Sequence, residues 1–548
     1  LHDSGGAVYH VNLLEKLLVP VLSKVSNLVP DGGIWMNTQR PEWNDANNAL
    51  VGNGISMVTL SYLRRHVRFL AGLLDRVGDT GMPVSAEVSD WFSAIDSILA
   101  SARGLLDGKA VDDSDRKRVL DMLGRAFSEY RSKVYAKGFS GKRTVRTGKL
   151  AGFFSTVLVW LDHAIDVNRR QDGLYHAYNL LEISKDGESA AVKHLYEMLE
   201  GQVAVLSSGE VSPAEAVTLM DTLFDSSMYR EDQRSFMLYP RRELPRFMEK
   251  NAVSGDRVLS VELLRALVEE GEDSIISLDS AGVYRFNGDF VNAIDLASAL
   301  DRLSQKEKWT SLVEEGREAV LDLFEKVFDH RSFTGRSGTM YGYEGLGCIY
   351  WHMVSKLLLA VQEAVIKASL DEAGKAHLDR LADLYFRIRA GLSFEKPVLE
   401  YGAFPTDPYS HTPPHAGAQQ PGMTGQVKEE ILTRFGELGV TIENGILSFR
   451  PVLLERKEFL EERREFRYYG LDGQPRSIEV PAGSLAFTFC QVPVVYELSE
   501  EPWVRMTVDG TETKFEGVSL DNESSLAVFN RLGTITRIDA GIPGESLR

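Results

Sequence analysis

Three kinds of residue pattern are scarce in this chain, and each shortage removes a class of function. Cysteine comes first: only Cys348 and Cys490 occur in 548 residues. They lie far apart and one falls in a helical pattern, so neither a disulfide framework nor a zinc site is supported. A reducing, cytoplasmic setting is the default. Long apolar runs are missing too, since none reaches the roughly 18 to 20 residues of a membrane span. The run Val157 to Leu161 meets Asp162 and His163 at once. Basic charge is in deficit, with 61 Lys and Arg against 79 Asp and Glu, a net charge of −18 and a pI near 5.2. Nucleic acid and anionic membranes need a basic surface, so neither is an expected partner. The first residue is Leu1, and no signal-peptide layout follows it.

What is present is a chain long enough for two to four domains and a stretch that packs an acid, amides and glycines ahead of a long apolar helix. Arg40 to Leu60 reads RPEWNDANNALVGNGISMVTL. Asp45 is the candidate acid, crowded by Glu42, Asn44, Asn47 and Asn48, and Trp43 offers a flat apolar wall of the kind that stacks on a sugar ring. From Ile55 the apolar residues Val58, Tyr62, Val67, Leu70 and Leu74 recur at helical steps, so the polar cluster sits in a loop feeding a buried helix. A glycine-rich turn with solvated side chains explains the same composition about equally well.

Residues 7 to 28 read as an amphipathic helix kinked near Pro20, ended by the turn Pro30-Asp31-Gly32-Gly33. Helical patterns follow at about 55 to 77, 88 to 106, 113 to 135 and 148 to 169, which implies helix-on-helix packing. The basic stretch 138 to 149 (GFSGKRTVRTGK) reads as a solvated loop. Residues 170 to 310 are the least regular part. Ser212-Pro213-Ala214-Glu215 is a capping box that starts a helix, and Ser274 to Leu278 with Gly282 to Phe286 reads as a hairpin. Met228 to Lys250 looks like an ordered surface loop. Tyr229, Arg230, Asp232, Gln233, Tyr239 and Arg241 suit a polysaccharide groove there, and an inter-domain packing loop explains them nearly as well.

Two further stretches carry candidate chemistry. Arg331 to Lys356 has five glycines from 335 to 347, with Arg336, Tyr341, Tyr343 and Glu344 ahead of a helix bearing Trp351, His352 and Lys356. His352 and Lys356 share a helix face, and a cation, an imidazole and helix-start donors suit an anion such as phosphate. The competing reading is a core helix with a satisfied histidine and a snorkelling lysine. Tyr401 to Glu430 holds five prolines and two histidines before a helix at about 422. It describes a rigid site loop, because Gln419, Gln420 and Thr424 can donate hydrogen bonds at the helix start. Strand patterns occupy Thr441 to Phe449, with Glu443-Asn444-Gly445 as a turn, and about 477 to 540.

Trp43-Asn44-Asp45, a Gly-x-Gly element opening a helix, and the Gln420 and Thr424-Gly425 loop followed by a β tail together resemble the cellobiose phosphorylase-like inverting glycoside phosphorylases. Ala46 stands where small members commonly have Gly, and the chain is most similar to the larger oligoglucan (β-1,3- or β-1,2-) enzymes. The resemblance implies a mainly α chain with a β tail. An (α/α)6-barrel region would span 1–438, with an inserted subregion at about 170–310, and a β-sandwich or jelly-roll-like domain would span 439–548. Half of such a barrel and an N-terminal β-sandwich would precede Trp43, so the chain is expected to be the C-terminal part of a longer protein, assembled as a homodimer. Asp45 would protonate the glycosidic oxygen. Trp43, Asn44, Glu42, Tyr343, Glu344, Tyr229 and Tyr239 would line the sugar subsites, while Arg336, His352, Lys356, Gln420 and Thr424 would hold phosphate. The reaction implied is phosphorolysis of a β-gluco-oligosaccharide, β-1,3-glucan favoured, to α-glucose 1-phosphate, with inorganic phosphate as co-substrate and no cofactor or metal. Two rivals stay open. One is an inverting hydrolase, in which Glu344 as base would stand roughly 6.5 to 9.5 Å from the acid; the other is a non-catalytic glucan-binding subunit.

Overall fold

The computed structural model describes residues 2, 6–37, 50–108, 110–241, 243, 245–330, 346–371, 374–421 and 426–548. The N-terminal helix, α1 (Leu13–Val25), is capped by Asn12, whose side chain accepts from the Glu15 N–H at 2.9 Å, and it runs through Pro20 on its exposed side. Short strands β1 (Leu28–Val29), β2 (Gly33–Trp35) and β3 (Gly54–Ser56) follow. Helix α2 (Met57–Val77) starts where Ser56 Oγ accepts from the Thr59 N–H at 2.9 Å, and it stops at Gly78. Leu60, Leu63, Val67, Leu70 and Leu74 form its buried stripe, the helical period read from the sequence.

Strand β4 (Gly81–Ser85) leads into α3 (Ala86–Ser101) and α4 (Asp113–Lys137), and β5 (Lys142–Arg146) leads into α5 (Thr147–Val167). The basic stretch expected as a solvated loop is therefore an edge strand paired with β4. Its charge is spent on partners distant in sequence: Arg143 bonds Asp90, Arg146 bonds Asp79, and Lys142 Nζ donates to the His10 carbonyl at 3.1 Å. Helix α5 is, by length and composition alone, apolar enough to cross a membrane. Its Leu150, Phe153, Phe154, Val157, Trp160 and Leu161 are instead buried in the main core, where α5 packs on α2 and α3.

Strands β6 (Tyr178–Ile183) and β7 (Ala190–His194) extend the first strands into a five-stranded sheet of order β1-β2-β3-β6-β7. Helix α6 (Leu199–Ser208) is buried along most of its length, and α7 (Pro213–Asp225) begins at the Ser212–Glu215 capping box. Strands β8 (Tyr229–Arg230) and β9 (Ser235–Phe236) pair with each other. The subregion expected at 170–310 thus divides. Leu174, Tyr175, Leu199, Val203, Met228, Phe236 and Met237 pack in the main core, and a second, separate core runs from Val253 to Phe328. That second unit contains α8 (Gly255–Leu259), α9 (Glu262–Glu269), the hairpin β10 (Ile276–Leu278) and β11 (Tyr284–Phe286), α10 (Ala293–Ser304) and α11 (Thr310–Phe328). Ion pairs from Lys185 to Glu318 (3.1 Å) and from Lys193 to Asp329 (3.3 Å) tie it to the β6–β7 hairpin.

Strand β12 (Ile349–Tyr350) opens the buried helix α12 (Trp351–Leu370), which packs on α6, α7, α13 (Lys375–Arg389) and α14 (Gln426–Glu437). Between α13 and α14 lie β13 (Tyr409–Thr412) and β14 (Gln419–Pro421). The tail holds the hairpin β15 (Val440–Glu443) and β16 (Ile446–Phe449), turned at Asn444 and Gly445 with φ of 55° and 81°, which suits the Asn-Gly pair. A second hairpin, β17 (Arg464–Tyr469) and β18 (Pro475–Val480), precedes β19 (Ser484–Phe489), β20 (Val492–Ser499), β21 (Trp503–Val508), β22 (Thr511–Glu516), α15 (Asn522–Phe529) and β23 (Ile535–Pro543). The last sheet has the order β19-β20-β23-β21-β22 and encloses its own core.

Candidate active site

Each stretch singled out from the sequence has at least one flank on a common framework. Glu42, Trp43, Asn44 and Asp45 lie outside the described residues, as do Arg336, Tyr343, Glu344 and Thr424. Their described neighbours converge. Met36 and Leu50, on either side of 38–49, pack in a cluster with Tyr178, Met198 and Tyr239. Leu346, which follows 331–345, joins that cluster and bridges Tyr239. One step on, the Leu238 N–H donates to the Cys348 carbonyl at 3.0 Å, and Met237 faces Ile349 of β12. Strand β12 pairs with β13 and β13 with β14, so Pro421, just before 422–425, belongs to the same sheet. Gln426, just after that gap, starts α14.

On this framework two of the expected phosphate ligands come together. Tyr350 stacks on His411 at 5.0 Å between ring centroids and stands 5.9 Å from His352. Ser410 Oγ lies 2.7 Å from His411 Nδ1 and donates to Gln420 Oε1 at 3.2 Å. Ser410 Oγ also reaches the Gln420 carbonyl at 3.2 Å, so the hydroxyl ties both the backbone and the side chain of Gln420 to β13. Gln420 is exposed and held at φ 57°, a left-handed conformation uncommon outside glycine. His352, buried in the first turn of α12, has its Nε2 3.6 Å from Glu429 Oε2 on α14. Burial pushes the Glu429 carboxyl up, and the close approach of the His352 ring, with Lys428 assisting, outweighs it, leaving the group below its ordinary range. Ser410 and His411 went unnamed in the sequence because the prolines around them dominate the pattern, and Tyr350 because the charged and histidine positions after it drew the reading. The alternation in Tyr409-Ser410-His411-Thr412 was the available signal.

The β13–β14 connection is rigid for steric reasons. Gly402 has φ 74°, and a Cβ there would lie 2.4 Å from Gly417 Cα. The Ala418 N–H also donates to the Tyr401 carbonyl at 3.1 Å. Only glycine permits so close a crossing of two backbones.

Other expected site residues stand elsewhere. Lys356 Nζ lies over the Tyr62 ring of α2, 6.0 Å from its centroid. Tyr229 belongs to an aromatic cluster with Phe224 and Phe236, with the Arg387 guanidinium 5.4 Å from its ring. Tyr239 is 7% exposed. Both tyrosines are packing residues rather than open sugar platforms, because the 229–239 segment turns inward. Gln233 Nε2 donates to the Glu400 carbonyl at 2.6 Å. The fully buried Lys396 bonds the Gln233 carbonyl and its Oε1, and sits 4.7 Å from the Trp351 ring centroid. Burial pushes the Lys396 ammonium down to about 7.

Glu430, one position past Glu429, is pushed up to about 7 by burial, with Arg389 opposing and Glu437 and Glu395 assisting. A carboxyl raised this way keeps its proton in the folded state between about pH 4.5 and 7. Its stabilising contribution is complete below 4.5 and lost as pH rises through 7. Glu430→Gln, which cannot ionise, is therefore expected to gain on the wild type by on the order of 3 kcal/mol between pH 4.5 and 8. Melting temperatures of both proteins across that range would decide it, and parallel curves would refute the assignment.

Residues 244–331 match the family model described as GH149 phosphorylase insertion domain 2. The match spans the unit with its own core, Val253 to Phe328, and supports an enzyme of the glycoside phosphorylase kind. No curated protein matches the chain.

Proposed function

We propose that this chain is the catalytic part of an inverting glycoside phosphorylase that cleaves a β-gluco-oligosaccharide, with β-1,3-glucan favoured, to α-glucose 1-phosphate. The observation that carries the reading is the GH149 phosphorylase insertion-domain match at 244–331. It is joined by the convergence, on the 237–239 segment and the β12–β14 sheet, of at least one residue flanking each of the three site stretches. In this reading the helices of the main core are part of an (α/α)6 barrel.

Asp45 donates its proton to the departing glycosidic oxygen as the bond to the anomeric carbon breaks. Phosphate attacks that carbon from the opposite face, so no protein base is needed. Gln420 and His352 contribute to the phosphate side together with Arg336 and Thr424. Trp43, with Glu42 and Asn44, and Tyr343 with Glu344 form the sugar side.

Sugar 1-phosphate release, measured with and without inorganic phosphate on β-1,3- and β-1,2-gluco-oligosaccharides, tests the proposal. Sugar 1-phosphate should form only with phosphate present. Free glucose released at the same rate without it would mean hydrolysis, and no turnover of any glucan would mean a binding subunit. Gln420→Ala removes one donor to an anion, a loss worth roughly 1.5 to 3 kcal/mol. It should raise the KM for phosphate by roughly ten- to a hundredfold and leave the KM for glucan within about twofold. Equal effects on both substrates would reduce Gln420 to a shaping role.

A further inference from the structure

Arg230 closes β8 with a side chain only 11% exposed, and its guanidinium is engaged on every edge. Nε and Nη2 donate to the two Asp232 oxygens at 2.8 and 3.0 Å, a bidentate pair that fixes the plane of the group. Nη1 donates to three carbonyls: Gly347 at 3.2 Å, Thr412 at 3.0 Å and Pro413 at 3.2 Å.

Those carbonyls come from two segments far apart in the chain that also meet through the β12–β13 ladder, where Ile349 stands opposite Thr412. Gly347 ends the glycine-rich stretch, two residues before the strand that opens the helix carrying His352. Thr412 and Pro413 end β13, whose partner β14 carries Gln420. The two touch directly, since Gly347 has φ 70° and a Cβ there would lie 2.8 Å from Pro414 Cγ. Pro413 and Pro414 bring no N–H of their own, so this turn is rich in acceptors and short of donors. A fixed, multiply donating cation suits that deficit better than an ammonium, which cannot also hold Asp232 bidentately. Trp351 Nε1, donating to Thr412 Oγ1 at 2.9 Å, ties the helix start to the same point.

We propose that Arg230 is a positioning residue that sets the spacing between the His352-bearing helix start and the Gln420-bearing hairpin, and thereby the affinity of the site for an inorganic oxyanion. The inference rests on the phosphorylase reading for the identity of the anion, while the clamp itself is independent of it.

The test compares Arg230→Met, Arg230→Lys and Asp232→Asn with the wild type by two readouts: amide hydrogen exchange in 346–352 and 409–421, and steady-state kinetics with phosphate and oligoglucan varied separately. Arg230→Met should speed exchange in both segments about tenfold or more, and raise the KM for phosphate roughly tenfold while the KM for glucan stays within about twofold. Arg230→Lys should recover part of both effects, and Asp232→Asn should show a smaller version of each. If Arg230→Met does not fold, the other two variants carry the same comparison. Unchanged exchange in both segments overturns the clamp. Faster exchange with equal rises in both KM values overturns the positioning role and leaves a structural strut. If the wild type shows no phosphate-dependent turnover, the phosphorylase reading fails, and inorganic phosphate binding measured by calorimetry on the same variants takes the place of KM. Wild-type phosphate binding that weakens in Arg230→Met then supports the proposal, and no binding or unchanged binding overturns it.

Discussion

Asp45→Asn is expected to lower phosphorolysis, and synthesis from sugar 1-phosphate, by about two to four orders of magnitude with no change in melting temperature. The amide keeps the shape and hydrogen-bonding reach of the carboxyl and loses only the transferable proton. Both directions fall together because the group that protonates the leaving oxygen in one direction deprotonates the acceptor hydroxyl in the other. Substrates with good leaving groups need less protonation and should be spared. Retention of more than roughly a tenth of wild-type rate on an unactivated glucan, well outside the range for a lost general acid, would remove Asp45 from that role.

Arg389→Met should be the most destabilising single change among the charged residues that join the helical region to the tail. Arg389 Nη1 stands 2.9 Å from Glu437 Oε1 and 4.0 Å from Glu430 Oε2. Glu437 is 3% exposed and also accepts from the Tyr385 hydroxyl at 2.6 Å and from Arg434 at 2.9 Å. Arg434 in turn reaches Glu458, beyond the β15–β16 hairpin, at 2.6 Å. Deleting one partner of a buried ion pair costs about 3 to 5 kcal/mol when the other charge is left unpaired, and because Arg434 and Tyr385 still reach Glu437 the loss here should fall toward the lower end of that range. The pair of Arg467 with Glu465 is exposed to solvent and contributes little, so Arg467→Met is the control. Denaturant unfolding of both variants measures the contrast, and a loss below about 1 kcal/mol for Arg389→Met would show that this network adds little to stability.

Much of the helical architecture was legible because it is written locally. The apolar spacing of 55 to 77 became α2 at Met57–Val77, the Ser212–Glu215 box opened α7, and Asn444-Gly445 turned the β15–β16 hairpin. What escaped depends on partners distant in the chain. Lys142 to Arg146 is solvated as expected but is a strand rather than a loop, because its partner β4 is far upstream, and Arg230 looked like a sugar-groove residue because its acceptors are at 347, 412 and 413. Residues 170 to 240 read as irregular because β6 and β7 break the helical period, yet Leu174, Tyr175, Leu199 and Met237 there pack in the main core. At the site, His352 and Gln420 were named from type and spacing, and the structure links them through Tyr350, His411 and Ser410. For Tyr229 and Tyr239 the structure favours the packing loop over the groove, two readings the sequence left nearly level because an aromatic among arginines reads alike whether it faces a groove or a core.

The position of β23 has a consequence for the order in which the tail can be built. This strand lies between β20 and β21, parallel to the first, with Val494 opposite Ile538, and antiparallel to the second, with Val504 opposite Ala540. As the chain leaves the ribosome, β19–β20 and β21–β22 emerge as separate hairpins, each marginal alone and each presenting an open edge bearing apolar residues. They can merge only after Pro543 has been made. Until then the nascent tail is a pair of exposed templates for strand addition by other chains, and the long-range parallel pairing that ends this exposure is slow to form. Shortening the chain to end before Ile535 should therefore yield aggregation seeded in the tail, with the helices ahead of it still able to fold.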